Sequence, residues 1–326
     1  QSIEIHCLGN SALKKLVVRA IPDLGYCQFP NKPIVAPHGP YDWDFLKKHV
    51  LPNCNFIVSD YEGDYRRYAE EWKKQGRKWL ANVLAPGVVP GTSFSPEIAY
   101  ETWSKNPGYQ NPLYDGVMVD EFPPGDKPQY DAWIEGFQRL QQDPKCREKD
   151  FYPFCGMMYA SSKSREFIRA IMKAGQRFAW EIYLGEQPTE AAAGRLLESQ
   201  VADKARAWEK AQPGVIRHLN IALSYFSAPP ESCNVDPSVD YKVFMDMQFR
   251  FLATEPALFG LAGVMEYKSG YADEETIRWS GKLFRHYCIE GRTDLLSKEC
   301  GFKYKLDHLQ NPDFDDGTQG WAVEAA

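Results

Sequence analysis

The chain has 326 residues, 44% of them apolar, enough for one large α/β domain of roughly 250–300 residues plus small additions. A formal charge of −6 offers no basic stripe and argues against a nucleic-acid partner. No apolar run approaches the ~20 residues of a membrane span, so the expectation is a soluble protein with no membrane partner.

Residues 1–32 read as an irregular extension packed on one end of the domain, with a short hairpin around Leu16–Ala20. From Pro33 the chain alternates strand and helix. Ile34–Pro37 is the expected first strand, followed by a helix over 42–51, and Phe56–Asp60 the second. Tyr65, Tyr68, Ala69 and Trp72 then fall at i, i+3, i+4 and i+7 of one helix face, which Gly76 stops. Trp79–Ala85 is the third strand, and Ser95-Pro96 opens the next helix with a cap residue and a proline at the first position. The remaining pairs are Val117–Phe122 with a helix over 129–141, Phe154–Tyr159 with 164–174, and Phe178–Leu184 with 189–211. Leu219–Phe226 with 241–254 and Ala262–Tyr267 with 273–287 complete them. Strands alternating with helices imply a parallel sheet, and eight units is the count that closes a (β/α)8 TIM barrel, here over 33–305. Neither GxGxxG nor GxxxxGK[ST] occurs, which removes the usual nucleotide-binding folds.

Eight cysteines (7, 27, 54, 146, 155, 233, 288 and 300) show no CxxC or CxxH spacing, so zinc has little support. The pairs Cys7/Cys27, Cys146/Cys155 and Cys288/Cys300 are close enough in sequence to be bridges, which would suit an oxidising compartment. With an opening Gln1 and no leader, the expectation is a mature protein that is secreted or periplasmic.

In such a barrel the chemistry sits where strands end and loops begin. Strand 1 offers His38, then Tyr41 and Trp43. Strand 2 ends with Asp60 and Glu62, strand 3 adds Asn82, and strand 4 ends in Asp120-Glu121. Strand 6 carries Trp180, Glu181, Tyr183 and Glu186, strand 7 Ser224 and Tyr225, and strand 8 Glu266, Tyr267 and Lys268. Several carboxylates would then share one cleft. Like charges raise one another's pKa, which separates a protonated acid from an ionised partner, as glycosidic bond cleavage requires. Asp120, Glu121, Glu181 and Glu266 are the catalytic candidates, and side-chain alternation along a strand predicts that one of Asp120 and Glu121 faces the pocket. His38, Tyr41, Trp43, Asp60, Glu62, Asn82, Trp180, Tyr183, Tyr225, Tyr267 and Lys268 are the substrate-binding candidates, the aromatic rings as platforms for pyranose faces. No cofactor is implied.

Asp115-Gly-Val-Met-Val-Asp120-Glu121 resembles the fourth strand of many (β/α)8 glycoside hydrolases, where Asp-Gly-Val/Phe-x-x-Asp carries a catalytic carboxylate. The resemblance implies a hydrolase of poly- or oligosaccharides, acting as a monomer by default. It departs from the largest clan of such enzymes, which has Asn-Glu on strand 4 and a nucleophilic Glu on strand 7. Strand 7 here has no carboxylate, so the partner of Asp120 or Glu121 must come from strand 6 or strand 8. In the tail over 306–326, Asn311-Pro-Asp-Phe-Asp-Asp-Gly-Thr-Gln-Gly-Trp321 resembles the opening of galactose-binding-like β-sandwich modules. Two other readings remain open: a carbohydrate-binding barrel without catalysis, and a metal-dependent barrel hydrolase or lyase. The last needs histidine-rich strand ends, of which only His38 is an example.

Overall fold

The structure, a computed structural model, describes residues 21–30, 41–60, 63–224, 226–267, 269–306 and 317–322. Eight strands, β1 (Asp23–Phe29), β2 (Phe56–Ser59), β3 (Lys78–Leu84), β4 (Gly116–Phe122), β5 (Asp150–Cys155), β6 (Phe178–Glu181), β7 (Leu219–Ser224) and β8 (Gly263–Tyr267), close into a barrel in chain order. Every neighbouring pair is parallel, and β8 returns to β1 with Tyr26 opposite Glu266. The helices ring the outside: α1 (Trp43–His49), α2 (Arg66–Lys73), α3 (Pro96–Ser104), α4 (Pro107–Gln110), α5 (Gln129–Gln142) and α6 (Ser162–Lys173) come first. Then follow α7 (Glu190–Leu197), α8 (Asp203–Ala211), α9 (Tyr241–Thr254), α10 (Glu274–Leu283) and α11 (Leu296–Glu299). Local chemistry starts them as expected: Ser95 accepts from the Ile98 N–H ahead of Pro96, and Asp273 from the Thr276 N–H.

Alternation along each strand splits its side chains between two cores. Cys27, Phe56, Val58, Leu80, Met118, Tyr152, Phe154, Ala179, Ala222 and Met265 fill the barrel interior. Their neighbours in sequence, such as Trp79, Val117, Val119, Trp180 and Val264, pack outward against the helices. The N-terminal end is sealed by polar contacts. Arg177 pairs with Asp23, and the Tyr152 hydroxyl donates to the same carboxylate at 3.2 Å. An open site therefore belongs at the other end.

Three elements differ from expectation. The first strand is Asp23–Phe29, upstream of Ile34–Pro37, which lies outside the described residues, as does the hairpin at Leu16–Ala20. Gly25 weakens the strand pattern there, yet packing demands it, because a Cβ at this position would overlap the Phe56 ring. The fifth strand ends at Cys155 and begins at Asp150, ahead of the expected Phe154–Tyr159. Pro153 reads as a strand breaker, but it pairs in register with Val119 all the same. The long helix over 189–211 is interrupted by a π-turn over Glu198–Ala202.

Among the described cysteines, Cys146, Cys155, Cys288 and Cys300 form no disulfide, which removes the expected Cys146/Cys155 and Cys288/Cys300 bridges. The Cys146 thiol instead donates to the Asp143 carboxylate at 3.5 Å and the Cys155 thiol to the Ala179 carbonyl at 3.4 Å, while Cys288 is buried and Cys300 exposed. Cys7 lies outside the described residues. No helix among the described residues is long and apolar enough to cross a membrane. Residues 304–306 run beside the segment before α9, with the Leu306 N–H donating to the Ser238 carbonyl at 2.8 Å. Most of the tail motif lies outside the described residues.

Candidate active site

The interior face of β4 runs Gly116, Met118, Asp120, and Asp120 is reached at the C-terminal mouth. Its Oδ1 accepts from the Glu121 N–H at 3.0 Å. The register between β4 and β5 slips between Val119 and Phe122, a bulge that absorbs Glu121. Glu121 adopts φ 72°, the left-handed region that costs a glutamate on the order of 1–3 kcal/mol. Because one residue is spent in the bulge, Phe122 returns to the outer layer, 4.9 Å from the Trp133 ring and 5.0 Å from Phe167. Simple alternation would have turned Glu121 into that layer. It is instead exposed at the mouth beside Asp120.

Two strands along the barrel wall, Glu181 follows Ala179 on the inner face of β6 and ends the strand with its side chain open to the mouth. Its carboxyl is pushed up to about 7, first by the protein walls that strip its water and then by the negative charges of Asp120 and Glu121. Three carboxylates therefore share one electrostatic environment. The floor and far wall are aromatic. Tyr183 and Tyr267 stack with ring centroids 5.9 Å apart at 12°, Phe154 lies 5.1 Å from Tyr267, and Phe226 lies 5.1 Å from Tyr183. Burial first, and then the charges of Glu181 and Asp120 among others, drives both tyrosine hydroxyls well above their ordinary pKa, so they stay protonated donors. The Tyr183 hydroxyl and the Asn82 side-chain oxygen, on the inner faces beside this cluster, are buried without a hydrogen-bond partner.

Other candidates go elsewhere. Glu266 shares the outward face of β8 with Val264, whereas Met265 and Tyr267 face inward; it is fully buried near Tyr241 and Cys288 in the helix layer. Trp180 also faces outward, 6.2 Å from Trp208. Trp43 packs among Phe29, Tyr68, Trp72 and Trp79, and its indole N–H donates to Glu71. The Tyr41 hydroxyl donates to the Ala272 carbonyl at 2.5 Å, and Asp60 accepts from the Tyr65 hydroxyl at 2.5 Å. For Glu266 and Trp180 the strand's own parity fixes the outcome, and parity depends on where the strand starts. His38, Glu62, Tyr225 and Lys268 lie outside the described residues.

Sequence reasoning left Glu186 without a role. It is buried, accepts from the Val235 and Asp236 N–H groups at 2.7 and 2.6 Å, and so pins the loop between β7 and α9. Burial outweighs those bonds and holds its carboxyl up at about 7. Among the described residues no group of three or more His, Cys, Asp or Glu side chains is placed to hold a metal ion. A groove of about 500 Å³ on the helix ring is lined by Phe137, Glu166 and Arg169, away from these carboxylates. The site is thus picked out by its chemistry: coupled carboxylates of which one is held near neutrality.

No protein-family model matches the chain, and no curated protein sequence does. Solved structures do resemble it. A chitinase from Rhizomucor miehei superposes with a TM-score of 0.51 at 12% identity, over 80% of this chain and 99% of that one. The spore cortex-lytic enzyme SleL of Bacillus megaterium gives 0.50 at 12% identity, over 79% and 72%. The second catalytic domain of a Group II chitinase from Ostrinia furnacalis gives 0.51 at 9%, over 88% and 98%. The likeness is one of fold: this chain shares a closed parallel barrel with these proteins, and a barrel alone does not fix a reaction.

Proposed function

We propose that the protein is a glycoside hydrolase acting on a poly- or oligosaccharide, with Glu181 as general acid and Asp120 as the partner carboxylate. The observation that carries this reading is the grouping of Asp120, Glu121 and Glu181 at one mouth, with Glu181 held up to about 7. At neutral pH such a group exists in both forms, as proton donation to a leaving oxygen requires. In the reaction, Glu181 gives its proton to the glycosidic oxygen as the bond to the anomeric carbon breaks. Asp120 either attacks that carbon or takes a proton from the water that does, and its charge stabilises the positive transition state. Glu121 adds a second negative charge and helps keep Glu181 protonated. Tyr183 and Tyr267 supply ring faces for the sugar and hydroxyls for its oxygens. Fold-level likeness to chitinases supports the class by analogy. Export from the cell belongs to the proposal, since a polysaccharide does not cross a bilayer; the cysteines lend it no support.

The test is a screen of polysaccharides and aryl glycosides with wild type, Asp120→Asn, Glu181→Gln and the outward-facing Glu266→Gln, each checked for folding by circular dichroism. Loss of cleavage in the first two variants, with activity retained per folded molecule in the third, supports the assignment. Binding of oligosaccharides without cleavage by wild type would make the barrel a binding protein and sink it.

A further inference from the structure

The loops that follow β6 and β7 are tied to each other beside the proposed catalytic mouth. Glu186 is 3% exposed, and one of its carboxylate oxygens accepts from both the Val235 and the Asp236 N–H. Its own N–H donates to the Cys233 carbonyl at 3.0 Å, and the Cys233 N–H donates to the Phe226 carbonyl at 2.8 Å. A Cβ added at Gly185 would meet the Cys233 carbonyl at 3.8 Å and the Val235 side chain at 3.9 Å, so the two loops pack closely here. The Tyr304 hydroxyl grips the next residue, Gln187, accepting from its N–H at 3.3 Å and donating to its carbonyl at 2.6 Å. The Tyr304 carbonyl in turn accepts from the Asp240 N–H at 2.9 Å, at the far end of the loop after β7.

This clasp reaches the aromatic wall of the mouth through Phe226. The buried Phe226 sets its ring edge-on to Tyr183, at 5.1 Å and 64°, and to Tyr271 at 5.3 Å. The Ser227 and Ala228 N–H groups both donate to the Tyr271 carbonyl at 3.0 Å, which fixes the chain just beyond Phe226. The Tyr183 hydroxyl has no hydrogen-bond partner among the described residues. Its ring is therefore oriented by packing, against Phe226 and against Tyr267, with which it stacks at 12°. A buried carboxylate is costly unless it is hydrogen-bonded, and the two bonds that Glu186 accepts both go to the loop that carries Phe226.

We propose that Glu186 is a positioning residue of the site: by holding the loop over 226–240 it seats Phe226 against Tyr183 and so sets the ring that receives the sugar. The inference rests on the proposed reading of the mouth. Glu186 acts on the substrate only through Tyr183, and what it supplies is an acceptor placed to hold two backbone N–H groups at once.

The experiment follows two reporters in the full chain without substrate. The first is the reaction of the buried Cys233 thiol with DTNB, located by peptide mapping, with the exposed Cys300 as internal reference. The second is heteronuclear NMR of protein carrying ring-labelled tyrosine, the signals of Tyr183, Tyr267 and Tyr287 being identified by their Tyr→Phe variants. Glu186→Ala should speed labelling of Cys233 by about tenfold or more, tenfold being the change in loop opening for loss of a single hydrogen bond of about 1.4 kcal/mol. It should also move the Tyr183 signal and, through the stack, that of Tyr267. The Tyr287 signal, from a hydroxyl that donates to Asp246, should stay in place and report an intact barrel. Glu186→Gln keeps the acceptor and should match wild type in both readings. Should Glu186→Ala fail to fold, Glu186→Asp, one methylene too short to hold both N–H groups, takes its place. Unchanged labelling of Cys233 overturns the proposal, as does faster labelling with the Tyr183 signal unmoved, or a Glu186→Gln variant that behaves like Glu186→Ala. Neither reporter depends on turnover: if both respond as stated while no glycoside is cleaved, the positioning of Tyr183 stands and the hydrolase reading falls.

Discussion

Replacing Glu181 by Gln removes one proton from the proposed reaction while keeping the side chain's size. With its carboxyl at about 7 instead of the ordinary 4.5, half of the molecules carry the acid proton at pH 7. At the ordinary value roughly 1 in 300 would do so. A positioned general acid is worth about 10²–10⁴ in rate. Glu181→Gln should therefore lower kcat/KM by about that factor on glycosides with a basic leaving group. It should cost far less on 2,4-dinitrophenyl glycosides, whose leaving group departs without a proton. Because the protonated form is the active one, wild-type activity should hold below about pH 7 and fall tenfold per pH unit above it, and the variant should lack that limb. Glu121→Gln supplies a second check. It removes one of the two charges that, after burial, hold Glu181 up, so the limb should move to lower pH. The move should fall short of the full distance to 4.5, since burial is the largest cause. Profiles of kcat/KM from pH 4 to 9 on both leaving groups decide the matter. Equal losses on the two leaving groups, or an alkaline limb that survives Glu181→Gln, would refute the acid role.

Glu186 gives a stability test. Its folded pKa of about 7 lies above the ordinary 4.5, so its contribution is complete below pH 4.5 and is lost as pH rises through 7. Glu186→Gln keeps an acceptor for the Val235 and Asp236 N–H groups but cannot ionise. Urea unfolding should find it more stable than wild type at pH 8 by up to about 3 kcal/mol, with the gap closing at pH 5; a constant gap would show that the group does not titrate there. Tyr183→Phe removes a buried hydroxyl that has no protein partner. Its stability should stay level or rise by about 1 kcal/mol while oligosaccharide affinity weakens, and unchanged affinity by calorimetry would take the hydroxyl out of the site. Gly116→Ala puts a Cβ into the Asp150 carbonyl at φ 149°, and unfolding should show a loss of about 3 kcal/mol or more, against which a loss under 1 kcal/mol would count.

The alternation of apolar runs with helical faces was enough to read a closed parallel barrel, because burial on both faces leaves a strand few polar options. The strand end at Asp120-Glu121 and the apolar strand carrying Glu181 were equally legible, since carboxylates in apolar runs are costly without a purpose. Parity was not legible where it mattered. Glu266 and Trp180 sit in strands as expected, yet their register sends them into the helix layer. Gly25 and Pro153 disguised two strands, because the demands that justify them come from Phe56 and from pairing with β4.

The sequence by itself determined that eight strands alternate with helices, because hydrophobic periodicity and caps act over a few residues. Only the tertiary structure decided which carboxylates meet. That choice depends on a one-residue bulge at Glu121 and on strand register. Each is a relation between distant segments, and local spacing carries no record of it.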